Sequence, residues 1–305
     1  MPDLPAAKVP VVIDGHRIML SSLDKVMYPA TETTKGEVLN YYARVAPLIL
    51  PHLAGRPVTR VRWPHGVEGP SFFEKNLPSG APSWLTSVTL PSNSARGATD
   101  RDSVTYPLVS DTAALTYLVN LNSLELHIPQ WRVDAEGQPD NPDRLVIDLD
   151  PGSGAGLTEC ARVALHVRGR LTRIGLDPIP VTSGSKGMQV YAALPGAHTS
   201  EDMRAVALQL AQDLTRALPD LVVWKMTKSL RPGRVLLDWS QNVAAKTTVC
   251  PYSLRGRELP AVAAPRTWDE VEHGAETPGA LGQIGIDAAL GRFERVGDLA
   301  AGLLR

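Results

Sequence analysis

The chain is poor in cysteine: Cys160 and Cys250 are the only two among its 305 residues. That excludes a disulfide scaffold and a four-cysteine zinc site, and it fits a reduced, cytosolic compartment. No run of 18 apolar residues occurs, so no transmembrane helix and no membrane partner are expected. The N-terminal MPDLPAAKVPVVIDG carries Asp3 early and lacks an apolar core, which argues against a secretory signal. Repeats and low-complexity tracts are lacking too. With 43% hydrophobic and 21% charged residues, the composition excludes disorder, collagen and a coiled-coil rod. There is no bulk charge: 31 basic against 32 acidic residues leave −1, so no whole-chain basic excess points to nucleic acid.

The neutral sum hides an uneven distribution. Between Val222 and Arg257 stand seven basic residues (Lys225, Lys228, Arg231, Arg234, Lys246, Arg255 and Arg257) and one acid, Asp238, a local charge of +6. Residues 258–305 carry eight acids against four arginines. A basic stretch of this kind suits phosphate.

Twenty-six prolines and 25 glycines punctuate many short elements. Thr34 and Glu37 form a capping box, and Val38, Tyr41, Tyr42 and Val45 follow at helical spacing. Alternation predicts a strand from Pro57 to Trp63. A second helix is predicted from Asp111, as its cap, through Leu126. The polar, proline-rich stretch 134–143 reads as a boundary between two lobes. Beyond it the pattern is β-α-β-β-α-β-β: strand 144–149, a helix over 158–174 capped by Thr158, strands 178–182 and 188–193, a helix over 200–218 capped by Ser200, and strands 221–226 and 234–239. This predicts an α/β (α+β) fold with a mixed central sheet flanked by helices. The acidic tail from Trp268 reads as helical and packed on the outside.

Asp148 and Asp150 lie in the strand Leu145–Asp150. Alternation puts both carboxylates on one face, with Ile147 and Leu149 on the other. Like charges so placed repel unless a cation lies between them, and hard oxygen ligands suit Mg²⁺ or Mn²⁺. A bare DxD reads equally well as two surface acids at a strand end. Asp238 sits in the apolar strand RVLLDW and needs a metal or a basic partner. A third carboxylate is what a two-metal phosphoryl-transfer site requires.

Thr182-Ser183-Gly184-Ser185-Lys186-Gly187 offers backbone N–H groups, hydroxyls and a cation to a triphosphate, though it does not match the Walker A pattern and reads also as a plain hairpin turn. Arg255 provides a fork for phosphate oxygens. His127 reads as the C-terminal residue of the second helix, where the dipole favours histidine. Phe72 and Phe73 are two of only three phenylalanines, and serve either as base-stacking platforms or as core. Lys25 and Lys35 could hold a phosphate or be solvated.

Taken together, these segments resemble one family. LDKVMYP (23–29), FFEK (72–75), LELH (124–127), DLDPG (148–152), TSGSKG (182–187), DWSQN (238–242) and KTT (246–248) through PYSLRGR (251–257) occur in that order. They resemble the polymerase domain of bacterial ligase D, in the archaeo-eukaryotic primase superfamily, over roughly residues 17–300. The resemblance implies a template-dependent nucleotidyltransferase of non-homologous end joining that fills gaps and extends ends, with ribonucleotide preference and NTP or dNTP as substrates. It implies two Mn²⁺ (or Mg²⁺) ions on Asp148, Asp150 and Asp238. It places nucleotide binding at His127, Ser183, Lys186 and Arg255, with Gln241 nearby. Contacts to DNA ends fall to Lys25 and Lys35 for a 5′-phosphate, Phe72 and Phe73 for the template, and Arg231 for break alignment, with Arg62 in the RxRW segment.

Two positions depart from the family pattern. Gln189 stands where a histidine is common, and Val61 where a lysine often lies between Arg60 and Arg62. Both lower the positive charge expected at the nucleotide site. A weakly catalytic DNA-end binding and alignment module is therefore the rival reading, and a metal-dependent phosphohydrolase a lesser one. The expected organisation is a single primase-polymerase domain: an end-binding lobe at about 17–140, a catalytic lobe at about 141–260 and a packing tail at about 261–305. With no KxDG ligase motif in the sequence, the expectation is a stand-alone, nucleoid-associated cytoplasmic polymerase. A separate DNA ligase and a Ku-type end-binding protein are its candidate partners.

Overall fold

The computed structural model describes residues 8–91 and 103–304. The reading of Asp3 and the extreme N-terminus lies outside the described residues. Ten strands form the two principal sheets: β1 (Thr59–Arg62), β2 (Phe72–Glu74), β3 (Ser123–Ile128), β4 (Arg144–Pro151), β5 (Pro178–Thr182), β6 (Met188–Ala193), β7 (Val222–Val223), β8 (Val235–Asp238), β9 (Thr248–Val249) and β10 (Ala264–Pro265). Among the described residues six α-helices accompany them: α1 (Lys35–Leu53), α2 (Thr112–Asn120), α3 (Leu157–Arg173), α4 (Ser200–Ala217), α5 (Trp268–Glu276) and α6 (Ile286–Val296).

A six-stranded sheet has the order β7-β8-β4-β6-β5-β10, antiparallel except for the β7–β8 pair. A four-stranded antiparallel sheet has the order β9-β3-β1-β2. The predicted β-α-β-β-α-β-β order from residue 144 is present as β4-α3-β5-β6-α4-β7-β8.

Alternation along β4 decides where the core lies. Leu145, Ile147 and Leu149 pack beneath α3 and α4 with Cys160, Val163, Val167, Val190 and Leu237. Val146, on the opposite face, joins a second core with Tyr191, Val181 and the buried side of α1, which includes Tyr41, Tyr42, Val45 and Ile49. Each such buried side chain is worth roughly 1.5–3 kcal/mol, enough to hold β4 in one register while its far end carries charge.

The Thr34 box caps α1 as expected: Glu37 N–H donates to Thr34 Oγ1 at 3.2 Å and Thr34 N–H to Glu37 Oε2 at 2.7 Å. The tyrosine hydroxyls on its buried face are paired, Tyr41 Oη donating to Tyr252 O and Tyr42 Oη to Leu124 O, both at 2.7 Å.

Several expectations need correction. The second helix ends at Asn120, and residues 123–128 form β3, so His127 belongs to a strand and to no helix C-terminus. The break is Asn122, in the left-handed region at φ 63°, after which Leu124, Leu126 and Ile128 alternate with Glu125 and His127. The turn-forming character read in the stretch 134–143 is present, as the turn and return strand of a hairpin (Trp131–Val133 with Pro139–Pro142). The cap of α3 is Gly156, two residues before Thr158. That of α4 is Thr199, boxed with Asp202, in place of Ser200.

Candidate active site

The sheets meet at a cleft of about 550 Å³, lined by His127 and Val249 from one and by Asp148, Asp150 and Gln189 from the other. Ser183, Ser185 and Lys186 of the β5–β6 turn, Arg231, Gln241, Thr247, Thr248, Arg255 and Arg257 complete the wall. Sequence-predicted residues separated by more than 100 positions thus converge.

The three aspartates come together through strand register. Asp148 on β4 lies opposite Asp238 on β8 and, on its other side, opposite Gln189 on β6. Carboxylate oxygens of Asp148, Asp150 and Asp238 all lie within 4.8 Å of one another. Burial, then the charges of Asp150 and Asp238, raises the pKa of Asp148; burial and Asp238 raise that of Asp150. Such a cluster is unfavourable by itself and is relieved by divalent cations bound to hard oxygen ligands.

Asp238 is held firmly. Ser240 N–H donates to its Oδ1 at 2.9 Å, Ser240 Oγ to the same oxygen at 2.5 Å and Gln241 Nε2 to Oδ2 at 2.9 Å. Lys246 Nζ donates in turn to Ser240 Oγ. Gln241 therefore sits against the carboxylates. So does Gln189, which faces Asp148 across the β4–β6 ladder while its Oε1 accepts from Tyr191 Oη at 2.9 Å. Tyr191 Oη also lies 3.1 Å from Thr248 Oγ1, which accepts from Gln130 Nε2 at 2.9 Å.

The TSGSKG segment is a tight turn whose glycines have geometric reasons. A Cβ on Gly187 would lie 2.0 Å from Leu149 O, and one on Gly184, at φ +66°, would lie 2.6 Å from Arg255 Cγ. The turn is bracketed by Gln283, which accepts from Gly184 N–H at 2.7 Å and donates to Gly187 O at 2.9 Å. Lys186 projects from it, exposed. Across the cleft, Arg255 Nη1 donates to Ser183 O at 2.7 Å. Its Nε lies 3.2 Å from Glu125 Oε1, and Glu125 Oε2 is 2.7 Å from His127 Nε2. Arg231 enters because Gly152 lets its backbone pass: a Cβ there would stand 2.0 Å from Arg231 O.

The remaining predicted residues lie outside this cleft. Phe72 and Phe73 are 49% and 57% exposed, which removes the core alternative for both. Adjacent strand residues leave opposite faces, and Phe73 is the one that meets His127, edge-on at 6.0 Å between ring centroids. Arg62 is engaged by Leu121 O and Glu74 and shares a neighbouring groove with Phe73. Lys25 Nζ donates to Pro64 O. Lys35 is buried instead of solvated: its Nζ donates to Ser21 O at 2.7 Å, and burial, with Lys25 nearby, lowers its pKa to about 8. Val61 pairs with Phe73 on one side and Glu125 on the other, so a lysine at this position would stand beside that carboxylate.

Sequence reasoning assigned no role to Glu125, Thr247, Thr248 and Arg257, though LELH, KTT and PYSLRGR contain them, and it passed over Gln283. Glu125 had a signal, an acid alternating with His127 in a hydrophobic strand; Gln283, nearly 100 residues from the turn it clamps, had none.

A mixed fold in which a turn, a basic wall, Asp148 and Asp150 face one cleft, with Asp238 within 4.8 Å of both, suits metal-dependent nucleotidyl transfer. The family model for the LigD primase-polymerase domain matches residues 34–300. The multifunctional non-homologous end joining protein LigD of Mycolicibacterium smegmatis is 46% identical over 288 residues, covering 94% of this chain and 36% of that protein. LigD of Mycobacterium tuberculosis is 47% identical, covering 93% and 36%. The solved polymerase domain of M. tuberculosis ligase D in complex with DNA superposes with a TM-score of 0.87 at 46% identity, covering 94% of this chain and 98% of that one. The chain belongs to the LigD primase-polymerase domain family, and with it to the nucleotidyltransferases. It spans about a third of the length of these multifunctional relatives. Among the described residues no helix is long and apolar enough to cross a membrane.

Proposed function

We propose that the chain is a template-dependent polymerase that fills gaps and extends DNA ends in non-homologous end joining, working from Mn²⁺ or Mg²⁺ and a nucleoside triphosphate. The observation that carries this is the cluster of Asp148, Asp150 and Asp238, within 4.8 Å of one another, of which Asp148 and Asp150 line a cleft shared with Lys186, Arg231, Arg255 and Arg257. A solved relative described as bound to DNA supports the nucleic-acid partner.

Asp148, Asp150 and Asp238 would hold two ions. Bound there, divalent cations supply a lowered pKa for an attacking 3′-hydroxyl and charge neutralisation for the leaving pyrophosphate. The chain's own residues do the rest. Asp238, fixed by Ser240 and Gln241, keeps its carboxylate aimed without reorganisation. Arg255, Lys186, Ser183 and His127 hold the triphosphate in line, and Gln189, opposite Asp148 in the sheet, places a neutral amide beside that carboxylate. Gln189 thus serves the metal side of the cleft, and its lack of charge is compatible with turnover.

The N-terminal lobe, about 17–140, binds the DNA end. Lys25 and Lys35 take the downstream 5′-phosphate, Phe72 and Phe73 stack on template bases, Arg62 supports that groove, and Arg231 aligns the break. Family likeness supports a ribonucleotide preference, a ligase activity acting on the filled end and a Ku-type partner. The test is extension of a gapped duplex with Mn²⁺, comparing rNTP with dNTP and a 5′-phosphate with a 5′-hydroxyl. Templated addition favouring rNTP and the phosphate is expected. Tight phosphate-dependent binding without any addition would favour the alignment module.

A further inference from the structure

An acidic side chain is out of place against a polyphosphate site, yet Glu125 stands directly behind this one. It is 4% exposed, and both oxygens are committed. Oε2 lies 2.7 Å from His127 Nε2; Oε1 accepts from Gly256 N–H at 2.9 Å and lies 3.2 Å from Arg255 Nε. Burial opposes its ionisation, but the His127 hydrogen bond and the Arg255 charge hold its carboxyl at about 2.

These contacts have directional consequences. With Nε 3.2 Å from Glu125 Oε1 in an ion pair and Nη1 given to Ser183 O, Arg255 keeps Nη2 for the cleft. With Nε2 engaged, His127 keeps Nδ1. The backbone that carries Arg255 is pinned as well, by the Gly256 bond on one side and by Tyr28 Oη donating to Arg255 O at 2.8 Å on the other. Across β1 the neighbour of Glu125 is Val61, so its carboxylate is shared by Arg255 and His127 with no lysine competing from that strand.

We propose that Glu125 is the positioning residue of the nucleotide cleft: one buried carboxylate that sets the directions in which Arg255 and His127 present their remaining N–H groups to a triphosphate. It touches no substrate. It offsets the charge of the donor behind the site, so that the donor can be desolvated and aimed before the nucleotide arrives. This rests on the reading of the cleft as a triphosphate site.

The test uses the whole chain, Mn²⁺ and a non-hydrolysable ribonucleoside triphosphate in calorimetry, with steady-state gap filling alongside. Glu125→Gln should weaken triphosphate binding and raise KM about 10- to 100-fold, the worth of a charged hydrogen bond or two. Affinity for gapped DNA should stay within twofold. In an Arg255→Ala/His127→Ala background the same change should add less than twofold, because nothing is left to position. A wild-type KM, or an undiminished effect in that background, overturns the proposal. Should Glu125→Gln not fold, Glu125→Asp decides: a carboxylate one methylene shorter cannot span both partners, so a raised KM supports the proposal and a wild-type KM overturns it. If Arg255→Ala and His127→Ala themselves bind triphosphate normally, it is the reading of the cleft that fails.

Discussion

Replacing Asp148 with asparagine should stabilise the metal-free protein while abolishing synthesis. The carboxylate oxygens of the three aspartates lie within 4.8 Å of one another. Two unit charges at that separation repel by about 1 kcal/mol in water and about 3.5 kcal/mol at an effective dielectric of 20. Asp148 faces two such neighbours, giving about 2–7 kcal/mol; the open cleft and the exposed Asp150 place the gain near the low end, about 2 kcal/mol. For a chain of this size that is a rise in Tm of roughly 3–6 °C. The pH dependence has a fixed sign. Asp148 and Asp150 have raised pKa values, so the folded state holds protons that the unfolded state releases, and wild-type stability falls as pH climbs above the ordinary carboxylate value of 3.8. The asparagine advantage should therefore be visible at pH 8 in EDTA and shrink at pH 5. Adding Mn²⁺ should reverse the order, because wild type gains the binding energy and the variant loses much of it. Thermal unfolding in the four conditions is the assay. A variant that melts below wild type at pH 8 in EDTA, or equal Mn²⁺ gains for both, would refute the reasoning.

Other outcomes follow from the same geometry. Lys35, with its pKa lowered to about 8, loses charge at a pH where an ordinary lysine keeps it, so preference for 5′-phosphorylated over 5′-hydroxyl DNA should decline several-fold between pH 7 and 9 in fluorescence anisotropy; a preference unchanged to pH 9 would count against Lys35 as the contact. Gly152→Ala forces a Cβ to 2.0 Å from Arg231 O, which should cost about 2–4 kcal/mol in a urea melt or displace the Arg231 segment and disturb end alignment. Phe73→Ala should weaken template-strand binding by about 1–3 kcal/mol and also raise the nucleotide KM through His127, whereas Phe72→Ala should leave that KM alone; equal KM effects would show that the edge contact carries no information.

How far the sequence foretold this molecule depends on the range of the physics involved. Asp148 and Asp150 were legible as a pair because a period of two is local, and the structure keeps Ile147 and Leu149 on the helix face. That Asp238 would lie opposite Asp148 depends on antiparallel pairing across some 90 residues, which no local pattern states. The helix predicted through Leu126 failed where leucines spaced at three residues (Leu115, Leu118, Leu121, Leu124) give way to a spacing of two (Leu124, Leu126); the left-handed Asn122 settles the matter for β3, and with it the placement of His127. Lys35 carries no sign of burial in its own neighbourhood. It is buried because the first turn of α1 packs under Ser21. Glu125 shows the same limit from the other side, since an acid in a strand becomes a positioning group only when Arg255 arrives from 130 residues away.

The central claim is that the aspartate cluster performs nucleotidyl transfer, and single-nucleotide addition to a gapped duplex with Mn²⁺ tests it most directly when DNA affinity is measured on the same samples. Wild type should extend the primer as the template dictates, while Asp148→Ala and Asp150→Ala should bind the duplex within about twofold of wild type and add nothing detectable, a loss of at least about 10³-fold. Extension by a folded Asp148→Ala protein would contradict the account.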